Sequence, residues 1–146
     1  MLLVSKDGSF NDSLISRIAK ETTSKYYKTD SLALKRWGEI GKHHTYKDTI
    51  ITIKKLAISV DMDEIKIFED YAKWLCVVLQ SRGISKDVIK THTRILIEIF
   101  ELEKYKLEKK KKWNNEEIKS MENYLRYLHH GLNVIENFEN SAISKT

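Results

Sequence analysis

Apolar residues recur every three or four positions along most of the chain, the period of helices packed on one side. From Asp12, the set Leu14, Ile15, Ile18 and Ala19 predicts an amphipathic helix to about Tyr27. Asp30 or Ser31 caps a second helix, whose inner face gathers Leu32, Ala33, Arg36, Trp37 and Ile40 before Gly38 and Gly41 weaken its end. Thr45 and Asp48 offer acceptors to free amides, so a third helix is expected to start there. The stretch from Ile50 to Val60 is β-branched enough for a strand, yet Ile50, Ile53, Ala57 and Val60 share a helical face and no partner strand follows. Helix is the reading kept.

The second half carries firmer punctuation. Asp61-Met62-Asp63-Glu64 is an acidic helix start, and the helix over 62–81 turns Ile65, Phe68, Tyr71, Ala72, Leu75, Val78 and Leu79 inward before closing at Arg82-Gly83. Ser85 opens a long helix to about Lys110. Asn114 with Glu117 opens another to about Asn140. In that last helix Met121, Leu125, Leu128, Leu132 and Ile135 continue the alternating spacing begun at Ile118, a coiled-coil-like seam, while Tyr124, Tyr127, Val134 and Phe138 lie on another face. The preceding helix is two-sided as well. Burial beneath the first helices explains one flank; a homodimer built as a four-helix bundle from both long helices, with Leu125, Leu128, Leu132 and Ile135 at its interface, explains the other.

The expected architecture is therefore all-α: six helices forming one domain over residues 1–146, with residues 1–10 a loosely held lead-in. A chain of 146 residues without proline is long enough to bury a core and one cavity. The apolar run at Met1-Leu2-Leu3-Val4 is too short for a signal peptide, no stretch approaches a membrane span, and Cys76 alone forms no disulfide framework, so a cytoplasmic protein is expected.

A net charge of +5 owes much to Lys104, Lys106 and Lys109 to Lys112. Without a helix-turn-helix or an aromatic-basic sheet motif these read as a solvated helix end, not a nucleic-acid surface. Phosphate loops, CxxC, HExxH and GxSxG are absent, and no enzyme activity is expected. Neighbouring histidines (His43 with His44, His129 with His130) diverge by about 100° on a helix and do not grip one metal ion. They are expected at exposed helix ends, whereas His92 falls on an apolar flank, where a satisfied core histidine is the plain reading and a ligand role the sharper one. Arg36 shares a face with Leu32, Ala33 and Ile40, which leaves either an internal ion pair, snorkelling, or an anchor for an acidic ligand; Arg94 and Arg126 compete for the last role.

Six helices with the two longest last follow globin order, but the helix over 62–81 has no histidine to hold haem. Segments such as Phe68-Glu69-Asp70-Tyr71-Ala72-Lys73-Trp74-Leu75, Ser81-Arg82-Gly83-Ile84-Ser85 and Tyr124-Leu125-Arg126-Tyr127-Leu128 resemble the non-haem globin sensor domains of spore-forming bacilli. The likeness is strongest to the small stand-alone sporulation-inhibitory members, which are related to the sensor region of a sporulation histidine kinase. This resemblance implies a dimeric, globin-like fold that holds a fatty acid and a chloride ion instead of haem. It further implies inhibition of sporulation signalling, with the signal withdrawn from the kinase. Arg36, Arg94 and His92 are the anchors carried forward for the carboxylate and chloride, with Leu32, Trp37, Ile40, Ile53, Phe68, Tyr71 and Leu75 lining the pocket. The alternative is a ligand-free helical dimer that blocks a partner as an antikinase does.

Overall fold

The computed structural model describes residues 3–30, 32–110 and 115–139. Among them are five helices and no strands: α1 (Asp12–Thr29), α2 (Ala33–Asp61), α3 (Ile65–Ser81), α4 (Lys86–Lys109) and α5 (Asn115–Asn137). The all-α class holds. Five helices replace the expected six because the second and third merge into α2, which at 29 residues is longer than either of the last two.

The merger has a local cause. The Thr45 hydroxyl, expected to cap a new helix, donates 3.0 Å to the Gly41 carbonyl four residues back, and Thr49 does the same to Thr45 at 2.7 Å. These hydroxyls ride on a continuous helix and do not begin one. The real interruption comes earlier, at Gly38, whose φ of 69° and ψ of −173° leave the helical region. Only glycine takes that conformation cheaply. Residues on either side of Gly38 are consequently out of phase, so the single inner face expected across 32–40 does not exist. Ala33 is fully buried, while Leu32, Arg36 and Ile40 are exposed.

Other boundaries shift for capping reasons. Glu64, not Asp61, caps α3, its carboxylate accepting from the Lys66 amide. Ser85 caps α4 as expected, its hydroxyl accepting from Val88 N at 3.3 Å, and Gly83 closes the preceding turn at φ 82°. Ser31, Asn114, Lys111, Lys112 and Asn140 lie outside the described residues. Within the lead-in Leu3 is fully buried, its amide donates 3.3 Å to the Tyr124 hydroxyl, and Val4 and Phe10 form an antiparallel bridge, while residues 5–9 between them are exposed.

The main core gathers Ile15 and Ile18 from α1, Ile53 and Leu56 from α2, Phe68 from α3, Leu96 and Phe100 from α4, and Leu128 from α5. Helices α3 and α5 approach closely at Gly131, where an added Cβ would stand 2.5 Å from the Phe68 ring. The stretch Ile50 to Val60 is helical, with Ile53 and Ala57 buried. No described helix is long and apolar enough to cross a membrane.

One buried charge is tied into this core. Glu103 on α4 is only 6% exposed and receives both Arg17 guanidinium nitrogens, at 2.6 and 3.1 Å, with Lys106 at 3.5 Å. Burial pushes its carboxyl up, but Arg17 and Lys106 outweigh that and hold it below the usual range. Arg17→Met strands a buried carboxylate and should cost about 1–3 kcal/mol in urea unfolding, discounted because Arg17 is itself half exposed. Lys25→Met, which breaks the exposed pair with Glu98, should change stability by less than about 0.5 kcal/mol in the same assay.

Candidate functional site

Helix α2 presents Gly41, His44, Thr45, Asp48 and Thr52 along one stripe, at the three- and four-residue spacing that keeps side chains on one face. Opposite it stand Leu75, Leu79 and Arg82 at the end of α3, Ile84 in the connection, and Val88, Ile89, His92, Thr93 and Leu96 on α4. Tyr26 and Tyr27 of α1 close one side, and Trp37 and Ile40, on either side of the Gly38 break, complete the wall. Between them lies a half-open cavity of about 660 Å³, within the range of small-molecule sites. A small apolar extension of about 20 Å³ runs on between Phe68, Tyr71, Leu128, Gly131 and Ile135.

The hydroxyl protons on this wall are spoken for. Thr45 donates to the Gly41 carbonyl, so the Tyr27 hydroxyl, 3.2 Å away, donates to Thr45. Thr52 donates to the Asp48 carbonyl, so Tyr71 donates to Thr52 at 2.8 Å. Burial, and then the nearby Asp48 charge, push the Tyr71 phenol up to about 12. Thr49 donates to the Thr45 carbonyl, so its oxygen can only accept, and His92 Nε2, at 2.9 Å, must carry the proton it offers. Thr93 donates to Ile89 and Tyr26 to Asp30.

His92 is thereby fixed in one neutral tautomer, with Nδ1 left as an acceptor. Loss of water pushes its imidazole down to about 4. Asp48 is half-buried on the cavity wall. Burial pushes its carboxyl up, partly offset by the charges of Arg82 and His44, with no hydrogen bond to its side chain acting on it. Arg82 and His44 are both exposed, which puts the cavity's two cationic candidates on its rim.

The expected site residues divide. His92, Trp37, Ile40 and Leu75 line the cavity; Phe68 and Tyr71 line its small extension; Ile53 is fully buried in the core and Leu32 is 58% exposed outside. Arg36 is exposed and lies over the Trp37 ring at 5.0 Å, one turn along from the likewise exposed Leu32. Arg94 pairs with Glu136 at 3.1 Å on the surface, and Arg126 lies over Tyr127 at 5.3 Å. Neither lines the cavity. Arg82 does, and sequence reasoning passed over it as the residue before a closing glycine. The α2 stripe was passed over because it is polar; the signal was its regular spacing opposite an apolar face.

Leu125, Leu128 and Ile135 are buried within the chain and Leu132 is half-buried, so α3 and α4 already cover the seam expected between two copies. The remaining histidines sit within α2 and α5, not at helix ends. His129 and His130 diverge as expected, toward Glu101 at 4.0 Å and Glu69 at 3.2 Å. Among the described residues no three His, Cys, Asp or Glu side chains come together as a metal site. Cys76 is buried, and burial pushes its thiol up. Lys104 and Lys106 pair with Glu108 and Glu103, and Lys109 covers Tyr105. No family model, no curated protein and no solved structure matches this chain.

Two titrating groups on the cavity wall, His92 and Asp48, affect stability in opposite pH directions. His92 is held below its ordinary 6.5, so the stability it contributes is complete above that value and is lost as pH falls toward about 4. His92→Gln keeps a donor for Thr49 and should flatten the fall in Tm across that window. Asp48 is held above its ordinary 3.8, so its ionised form strains the fold once pH rises through the raised value. Asp48→Asn should raise Tm at neutral pH, and the gain should vanish below about pH 4 in melts followed by circular dichroism.

Proposed function

We propose that this chain is a non-enzymatic binding protein whose cavity takes a fatty acid. The acyl chain lies among Leu75, Leu79, Val88, Ile89 and Leu96, and the carboxylate sits at the rim beside Arg82 and His44. The observation that carries this reading is a half-open cavity of about 660 Å³ whose apolar wall ends in exposed cationic side chains. A pocket of that size with few polar groups at one end suits an amphipathic ligand. Arg82 takes the anchoring role first sought at Arg36 and Arg94, because it alone of the three lines the cavity.

The resemblance to haem-less globin sensor domains supports the ligand class. It extends the proposal to a globin-like arrangement, a chloride ion beside the same rim cations, and a role in inhibiting sporulation signalling by withdrawing a signal from a histidine kinase. A homodimer belongs to this reading through Trp74 and Val77, 55% and 41% exposed and one turn apart on α3, and not through the covered α5 seam. The same exposed pair favours a second reading, a ligand-free interaction module that blocks a partner.

Native mass spectrometry of the purified protein should recover a bound acyl chain. Arg82→Gln should weaken hexadecanoate binding about tenfold or more, as loss of a charge-assisted contact predicts, while Arg36→Ala and Arg94→Ala leave it unchanged. Repeated recovery of an empty protein that also binds no added fatty acid would leave the interaction module standing.

A further inference from the structure

The cavity wall has an imbalance that a simple carboxylate does not correct. Every wall hydroxyl with a hydrogen bond on it has committed its proton: Thr45 to Gly41, Thr52 to Asp48, Thr93 to Ile89, Tyr27 to Thr45 and Tyr26 to Asp30. The charged donor left over is Arg82 on the rim, with the His44 ring and the Trp37 indole N–H also on the wall. Among the acceptors left over, the Asp48 carboxylate carries the charge and receives no hydrogen bond. A fatty acid anion satisfies Arg82 but brings a second negative charge toward Asp48 and gives it nothing to accept. A half-buried carboxylate without a donor is costly, and a ligand that supplies one relieves that cost on binding.

We infer that Asp48 and Arg82 together read a two-part head group: an acyl chain whose acidic end faces Arg82 and carries an O–H or N–H donor beside it for Asp48. α-Hydroxy fatty acids and N-acyl amino acids have this chemistry. The inference rests on the cavity being a lipid site and concerns which lipid it selects. Arg82 supplies attraction for any acyl anion. Asp48 discriminates, because it repels an anion lacking the donor and accepts from one that has it.

The test displaces dansyl-undecanoic acid from the purified full chain with hexadecanoate, α-hydroxyhexadecanoate and N-hexadecanoylglycine. The two donor-bearing ligands should bind about tenfold more tightly than hexadecanoate, the scale of one hydrogen bond to a charged acceptor. Asp48→Ala should abolish the difference chiefly by improving hexadecanoate binding. Asp48→Asn, which keeps an acceptor oxygen without the charge, should retain a reduced preference, with helical circular dichroism confirming both variants folded. Equal affinity for all three ligands in the wild type, or a preference that survives Asp48→Ala, overturns the head-group assignment and leaves the lipid cavity standing. Failure of dansyl-undecanoic acid and all three ligands to bind overturns the cavity reading itself, and this inference with it.

Discussion

Three threonine hydroxyls on α2 join the helices around the cavity. Thr45, Thr49 and Thr52 each give their proton to a carbonyl one turn back on their own helix and turn an oxygen outward. Each oxygen then accepts from another helix: Tyr27 of α1, His92 of α4 and Tyr71 of α3. A hydroxyl has one proton, so spending it inside the helix fixes the direction of every bond across the gap. The arrangement satisfies buried polar groups that would each cost about 1–3 kcal/mol unpaired, and it sets His92 in a single tautomer. Among the described residues no buried side-chain nitrogen or oxygen lacks a partner.

The same three contacts explain why a cavity survives in a helical core. Direct apolar packing lets helices close until side chains interlock at crystal-like density. Where α2 meets its neighbours, the long side chains of tyrosine and histidine reach across to short threonines, and their length spans the gap. Apolar closure resumes further along, where Ile53, Leu56 and Ala57 are buried and α3 meets α5 against Gly131. One half of α2 is thus a polar spacer and the other a core helix, which is why the helix as a whole is weakly amphipathic despite its length.

The all-helical class was legible because α1, α3, α4 and α5 each carry an apolar stripe bounded by caps or a closing glycine. The joining of the second and third helices was not. Thr45 and Asp48 have the composition of a helix start, but the Thr45 hydroxyl bonds back to Gly41 within the helix and accepts from Tyr27, while Asp48 faces the charge of Arg82. His92 was legible as a polar residue on an apolar flank. Arg36 misled because its apparent inner face spans Gly38, and helical phase does not carry across a residue at φ 69°. Firm placement of Leu3 was invisible too, since it depends on Tyr124, 121 positions away.

The Gly38 break has a consequence for the shape of the site. Trp37 and Ile40 flank it and form part of the cavity wall, Trp37 on the segment that begins at the fully buried Ala33, and Ile40, 76% exposed, on the side of the threonine stripe. The remaining wall is bonded across three helices and resists expansion. One glycine's two torsions therefore set the angle at which the Trp37 segment meets that bonded frame, and with it the place of the Trp37 ring in the cavity wall.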